Sequence, residues 1–543
     1  MTIGMMQDHP LIVSSILTFA ERWYPDVEIV SRTVSGDMHR YTYRDAARRS
    51  RTLANALQTL GINAGDKVGT LAWNGYRHLE CYYAIAGKGA VLHTVNPRLF
   101  PEQVVYIVNH GEDKALFVDT TFLPLIESVR PQFTTVEHIV VLCARDEMPE
   151  STLEGLICYE DLLAAAHDSY EWPDLDERAA SALCYTSGTT GNPKGVLYTH
   201  RSMVLHALAE ISPNSIGFGA SDTALIVVPQ FHVFAWGTTF AALMSGTKIV
   251  YPGPHMDGDS VTRLLNDEAC TVSLAVPTIW MMLMAALKQS GEKLPHLERV
   301  VIGGSACPEA MIRTFEDEYD VQVLHAWGMT ETGPLGSLCH LEPKHAALSA
   351  EQQMLIRCKQ GKPVYGIDLR IVDESGEPLP HDGEAFGQLQ VKGYWVTSGY
   401  YLRDDDDSVT ADGWFNTGDV ATIDPDGYMQ ITDRTKDVIK SGGEWISSID
   451  LENIAVGHPD IAEAAVIAVP HPKWDERPLV VAVRKPGTEV DRETLLAHIA
   501  GSVARWQVPD DVVFVDELPH GATGKLNKLA LRDQFQDYEL PTG

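Results

Sequence analysis

The chain has 543 residues, 45% of them hydrophobic and 21% charged, with 42 Lys and Arg against 74 Asp and Glu for a formal net charge of −32. That length calls for two or more domains, and the composition is that of a soluble globular protein. The acidity excludes a nucleic-acid partner, which needs a basic footprint, and opposes docking on anionic membrane surfaces. Any anionic substrate must therefore meet a local basic island.

The N-terminus has Asp8 and no basic leader before the apolar run 11–20, which argues against a signal peptide. The first third then alternates helix and strand. Residues 44–60 place Ala47, Leu53, Ala54, Leu57 and Leu60 at helical spacing and stop at Gly61. A strand over 67–73, a helix over 76–86 and a strand over 90–95 complete a βαβ unit. The rhythm continues through strands at 114–118, 139–142, 223–228, 248–251, 271–276 and 299–302, predicting parallel sheets flanked by helices. The apolar segment 279–287 is half the length a membrane span needs and reads as core, so no stable membrane insertion is expected.

After about residue 360 the texture changes to short strands and Gly/Asp turns, with "ESGEPLP" and "DPDGYMQI" reading as hairpins. The acidic run 404–407 reads as a solvated loop. Past Asp433 a smaller α/β set follows: helix 448–457, strands 464–469 and 479–484, helix 491–504, strand 512–515 and helix 528–535. The expected fold class is α/β: a large N-terminal domain, 1–435, of α/β subdomains with a β-rich subdomain, and a small mobile C-terminal domain, 436–543. Eight scattered cysteines (Cys81, Cys143, Cys158, Cys184, Cys270, Cys307, Cys339, Cys358) form no C-x-x-C pair. They predict buried free thiols in a cytoplasmic setting, not a disulfide framework or a zinc site.

The densest ligand-type cluster is "YTSGTTGNPKGV" at 185–196. Glycines let backbone N–H groups approach a ligand, the hydroxyls of Thr186, Ser187, Thr189 and Thr190 add donors, and Lys194 adds a mobile charge. Such a loop can cradle phosphate oxygens. The G-x-x-x-x-G-K-[ST] pattern fails, since Pro193 stands where the second glycine should be. On composition alone the loop is a phosphate loop of another kind or a flexible surface turn. Further clusters are "FHVFAWG" (231–237), "GGSACP" (303–308), "HAWGMTET" (325–332), "WFNTGD" (414–419), "DRTKDVIKSGGEW" (433–445) and "GATGK" (521–525). Read singly each has an ordinary explanation: His232 a satisfied core histidine, Trp327 core, Glu331 a cap.

Read together and in this order, these clusters resemble the motif set of the acyl-adenylate-forming enzymes, which include acyl-CoA synthetases, luciferases and the adenylation domains of peptide synthetases. The resemblance spans about residues 40–535. It implies ATP, Mg²⁺ and coenzyme A as cofactor and co-substrates. It further implies that Thr186, Ser187, Gly188, Thr189, Thr190, Gly191 and Lys194 hold the β- and γ-phosphates. Trp327 would stack on adenine within the segment His325, Ala326, Gly328 and Met329, opposite Gly304, Ser305 and Ala306. Thr330 would contact the α-phosphate, Glu331 with Thr186 would hold Mg²⁺, and Asp419 and Arg434 would take the ribose. Lys525, His232, Glu331 and Lys440 would be the catalytic residues, with Lys525 the cation that serves adenylation, and Lys436 would be the hinge for thioester formation. Lys440, Gly442, Gly443, Glu444, Trp445 and Glu476 would then bind CoA, with 471–478 as a second wall. Adjacent glycines at 442–443 suit a narrow pantetheine tunnel.

Where amino-acid-activating members place Asp after the Phe, this chain has His232, which favours an acid without an α-amino group. Phe231, His232, Trp236, Gly304 and Met329, with Phe234 and Leu335, suggest an apolar acyl pocket that Trp236 shortens. The chain looks closest to the fatty-acyl-CoA ligase branch that includes 3-methylmercaptopropionate-CoA ligases, and departs from its "FHVNAWG" at Phe234. The expected function is thus an AMP-forming ligase for a short or medium-chain carboxylic acid. Alternatives are aryl or longer-chain acids, or a phosphotransferase releasing ADP. A hydrolase has no support, because 303–307 does not complete a G-x-S-x-G elbow. Its partners are small molecules, and a homodimer is compatible with the sequence.

Overall fold

The computed structural model describes residues 4–186, 192–403, 407–442, 444–520 and 526–541. It divides into two compact units: one of residues up to 186, 192–368 and 392–409, the other of 369–391 and 410 onward.

The first unit is built on two sheets. In the nine-stranded sheet six central strands run parallel: Gln322–Gly328, Arg299–Ile302, Val272–Ala275, Thr223–Ile226, Lys248–Tyr251 and Glu28–Arg32. The pair Glu28–Arg32 and Met38–Thr42, which the sequence reading left unassigned, closes one edge antiparallel. Leu335–Leu338 and Lys362–Pro363 close the other. The seven-stranded sheet is parallel from Ile157–Cys158 through His138–Val141, Asp113–Val118, Lys67–Leu71 and Val91–Thr94 to Ala180–Tyr185. There Gly195–Thr199 turns back antiparallel. The central strands are almost continuously apolar, as sheets covered on both faces require.

Local signals start the helices. Tyr43–Thr59 begins at a capping box in which Thr42 Oγ1 accepts from the Asp45 N–H while the Asp45 carboxylate accepts from the Thr42 N–H. Of the residues read at helical spacing, Ala47, Leu53, Ala54 and Leu57 are buried on one face beside Ala46, while Leu60 is the half-buried C-cap. His200–Glu210 starts on Thr199 and Ser202 in the same way. Tyr76–Gly87 is buried nearly all round, and its Glu80 is fully buried against Arg49 (2.7 Å) and the Tyr159 hydroxyl (2.6 Å).

The second unit holds a four-stranded sheet (Ile367–Val372, Phe386–Gly393, Phe415–Ile423, Met429–Arg434) and a five-stranded sheet. The hairpin at "DPDGYMQI" joins Phe415–Ile423 to Met429–Arg434. The five-stranded sheet pairs Ile461–His471 with Asp475–Arg484 and carries Ser448–Val456 and Arg492–Ala500 over a core of Ile439, Leu451, Val466, Val480 and Leu495. The second helix is shorter than its predicted span 491–504, ending at Ala500 with Gly501 as its C-cap. Each of the eight cysteines is a free thiol, seven of them buried. Among the described residues no helix is long and apolar enough to cross a membrane.

Candidate active site

In the first unit, parallel strands deliver their C-terminal ends to one edge, where α/β sheets place ligands. Ile302 pairs with His325, so the Gly303–Gly304 turn lies beside Ala326 and Trp327. Gly304 has φ +80°, and a Cβ on Gly303 would stand 3.1 Å from the Ala326 carbonyl, so both glycines keep the turn close to its neighbours. Trp327 lies flat enough on Gly336 that a Cβ there would overlap its indole. The Thr330 carbonyl accepts from the buried Tyr198 hydroxyl, and the Met329 N–H donates to Thr332 Oγ1 at 3.0 Å. The His325 side chain is fully buried: Nε2 accepts from the Cys307 N–H (3.3 Å), faces the Gln360 amide, and burial lowers its pKa to about 4. Gly328 lies against the Pro334 carbonyl.

The predicted phosphate loop is anchored at its ends. Tyr185 pairs with Gly195, the Thr186 N–H donates to the Lys194 carbonyl (2.9 Å), and the Lys194 N–H donates to Thr186 Oγ1 (3.3 Å). Ser187, Gly188, Thr189, Thr190 and Gly191 lie outside the described residues. Lys194 Nζ stands 4.5 Å from the centre of the Tyr400 ring, and the Tyr400 hydroxyl donates to the buried Glu331 carboxylate. The Thr397 N–H also donates to the Glu331 carbonyl, and the Tyr401 N–H to the Gly195 carbonyl, each at 2.8 Å. Residues 397–401 therefore tie the loop lysine to the proposed metal carboxylate. The sequence reading missed this link; "SGYY" at 398–401 was its only trace.

The segment 226–237 is held from a distance. Asn74 Nδ2 donates to the carbonyls of Ile226 and Val228 at 2.8 Å, and its Oδ1 accepts from the Gln230 N–H at 2.7 Å. Gln230 in turn accepts from the Gly75 N–H. After His232, half-buried with its N–H on the Pro229 carbonyl, the backbone turns left-handed through Val233, Phe234, Ala235 and Trp236 at φ 45°, 57°, 53° and 59°. The left-handed region costs L-residues about 1–2 kcal/mol each, so tertiary contacts hold this turn. Phe234 supplies one: it is fully buried, its ring packed edge-on to Tyr198 and Tyr82. Phe231 packs near Trp73 beneath the Arg98 guanidinium. Trp236 ends the turn with its indole 3.3 Å from a Gly303 Cβ position and 3.8 Å from that of Gly304.

In the second unit Asp419 and Arg434 stand opposite each other on one hairpin, with Arg434 Nε 2.8 Å from the buried Asp419 carboxylate. The sequence assigned them a shared ligand, and the pairing register brings them together. Lys436 sits in the turn after Arg434, its carbonyl accepting from Arg532. Lys440 faces Trp445 across a two-stranded ribbon, with Nζ 5.5 Å from that ring and 2.9 Å from Glu374; its N–H donates to Glu476 at 2.8 Å. Gly442, at φ +63°, lies under Trp474 and donates to its carbonyl, so the 471–478 segment packs on the glycine turn. Gly443 and Lys525 lie outside the described residues, and for Glu444 only the backbone is described.

Residues 18–401 match the AMP-binding enzyme family, and residues 450–525 match the AMP-binding enzyme C-terminal domain. The chain belongs to the AMP-binding enzyme family. Within that family, it is 52% identical over 535 residues to the 3-methylmercaptopropionyl-CoA ligase of Ruegeria pomeroyi, covering 98% of this chain and 99% of that protein. It is 48% identical over 538 residues to the medium-chain-fatty-acid–CoA ligase of Ectopseudomonas oleovorans, covering 99% and 98%. The crystal structure of an anthranilate CoA ligase in complex with anthranoyl-AMP superimposes with a TM-score of 0.84 at 26% identity, covering 97% of this chain and 99% of that one. This AMP-binding enzyme is an acyl-CoA ligase that works through an acyl-adenylate.

Proposed function

We propose that this ligase activates a short or medium-chain carboxylic acid, 3-methylmercaptopropionate or a medium-chain fatty acid, in the cytoplasm. The observation that carries the chain length is Trp236, whose indole stands across the Gly303–Gly304 turn on a backbone fixed from below. A bulky side chain there leaves room for a short tail beside Met329 and His232. The names of the relatives at 48–52% identity support the same range.

In the first half-reaction a carboxylate oxygen attacks the α-phosphorus of ATP and pyrophosphate leaves; in the second the CoA thiol attacks the acyl carbon and AMP leaves. The barrier to the first is crowding of two anions. Cations and hydrogen-bond donors placed where that charge develops lower it, the cations being Lys525 and Lys194 and the donors the hydroxyls and backbone N–H groups of the Thr186–Gly191 loop. Glu331 and the Thr186 hydroxyl are hard oxygen donors, and one carboxylate suits Mg²⁺, which keeps waters and phosphate oxygens as its other ligands. Bound there, Mg²⁺ would neutralise phosphate charge. Thr330 serves the α-phosphate, Trp327 with Gly304, Ser305 and Ala306 the adenine, and Asp419 with Arg434 the ribose hydroxyls. The Lys440–Trp445 ribbon, Gly442–Gly443 and Glu476 serve CoA, with Lys436 as hinge between 1–435 and 436–543.

A panel of acids from acetate to dodecanoate, with benzoate and 3-methylmercaptopropionate, tests this reading. We expect AMP and pyrophosphate, with kcat/KM highest between about four and eight chain atoms. ADP release, or a preference for benzoate or dodecanoate, overturns it.

A further inference from the structure

Helix His200–Glu210 places His206 and Glu210 one turn apart on one face, and both are buried. His206 Nε2 accepts from the Leu335 N–H at 3.0 Å, so in the neutral ring the hydrogen is on Nδ1. Burial holds the ring neutral, with a pKa lowered to about 3. Its edge meets Trp395 at 5.8 Å. Glu210 differs: it is fully buried, and neither carboxyl oxygen has a hydrogen-bond partner among the described residues. Burial alone pushes its pKa well above the ordinary carboxyl range, so it stands as a neutral acid with an O–H to give. A buried carboxyl without a partner costs stability, and its retention asks for a use.

The pair lies against the backbone that carries Trp236. Gly237, at φ +81°, follows Trp236, and a Cβ on it would stand 2.5 Å from His206 Nδ1 and Cε1 and 3.4 Å from Glu210 Oε2. Only glycine leaves room for this polar pair against the backbone that follows Trp236, the residue that shortens the proposed acyl pocket.

We propose that His206 and Glu210 form the polar end wall of the acyl pocket, where the Glu210 O–H donates to an acceptor atom, a thioether sulfur or ether oxygen, in the tail of a short acid. The inference rests on the proposed acyl pocket at Trp236 and names the tail chemistry it takes. An alkyl tail of equal length leaves the carboxyl unsatisfied, so the wall selects the heteroatom-bearing acid. A neutral hydrogen bond contributes about 1 kcal/mol, about fivefold in relative kcat/KM.

The test compares 3-methoxypropionate and 3-methylmercaptopropionate with pentanoate, which has the same number of chain atoms. The wild type should favour both heteroatom acids over pentanoate. Glu210→Leu, which removes a buried unsatisfied group and should melt no lower than wild type, should lower that ratio about fivefold. Glu210→Gln keeps a donor and should hold the ratio within about twofold of wild type. An unmoved ratio in Glu210→Leu, or an equal drop in Glu210→Gln, makes the pair merely structural and overturns the inference while leaving the short-acid reading standing. If wild type turns over none of the three acids, the short-acid reading falls and takes the inference with it.

Discussion

Replacing Trp236 separates two effects that the structure places on one residue. Its side chain shortens the proposed pocket, and its backbone is the fourth of four left-handed L-residues. Trp236→Ala and Trp236→Gly both remove the indole, so both should shift the preferred acid to longer chains. Each methylene taken into the vacated space is worth about 0.8 kcal/mol, about fourfold in kcat/KM. Octanoate has three methylenes more than pentanoate, so complete burial would improve its relative kcat/KM by about sixtyfold. The two variants should differ in stability: at φ 59° alanine keeps a left-handed penalty of about 1 kcal/mol that glycine largely escapes. Initial rates of pyrophosphate release across butyrate, pentanoate, hexanoate and octanoate, with denaturant unfolding of both variants, read these effects independently. An unchanged chain-length ranking would put the pocket floor elsewhere. Equal stability of the two variants would refute the strained turn.

Lys525→Ala should slow acyl-AMP formation by orders of magnitude while thioester formation from supplied acyl-AMP survives, measured in single turnovers; equal loss of both steps refutes the division of labour. Tyr400→Phe keeps the ring under Lys194 but removes the hydroxyl given to Glu331, so adenylation should slow about tenfold and need more Mg²⁺; wild-type rates would make the link incidental. Asp119 accepts the Trp73 N–H at 2.7 Å, and its burial raises its pKa to about 7. The folded state therefore binds the extra proton between the unfolded value near 4 and about 7, and the stability that proton contributes is lost as pH rises through that window. Asp119→Asn, free of that loss, should gain in melting temperature relative to wild type from pH 5 to pH 8; a pH-independent difference refutes the assignment.

Periodicity was enough for helix 43–59 and strands 248–251 and 299–302, which write their burial locally, but not for helices such as Pro277–Ser290 or the inner strands Ala180–Tyr185 and Gln322–Gly328, which the sequence reading did not assign. The strands Glu28–Arg32 and Met38–Thr42 escaped, since "MHRYT" at a sheet edge buries only Tyr41 and carries little apolar signal. The candidate site residues cluster in sequence, which made the motifs readable, and Asp419 and Arg434, both expected at the ribose, pair on one hairpin. What holds those motifs was not readable. Asn74 and Gln230 meet across 156 residues, and Glu80, mid-helix, looks like a surface acid until Arg49 and Tyr159 are brought to it by the fold. Nothing in "HVFAW" announces the opposite, left-handed turn that buries Phe234 against Tyr82 and Tyr198, except the glycine after it.

That opposite hand bears on transplantation. A chimaera that imports residues 231–236 from another ligase carries the side chains of a substrate wall without the posture that aims them. The posture is stored elsewhere: in Asn74 clasping Ile226, Val228 and Gln230, in Tyr82 and Tyr198 receiving Phe234, and in Gly237 yielding to His206. Exchanges of acyl preference between relatives should therefore succeed when these distant anchors travel with the segment, and produce a misdirected Trp236 when they do not.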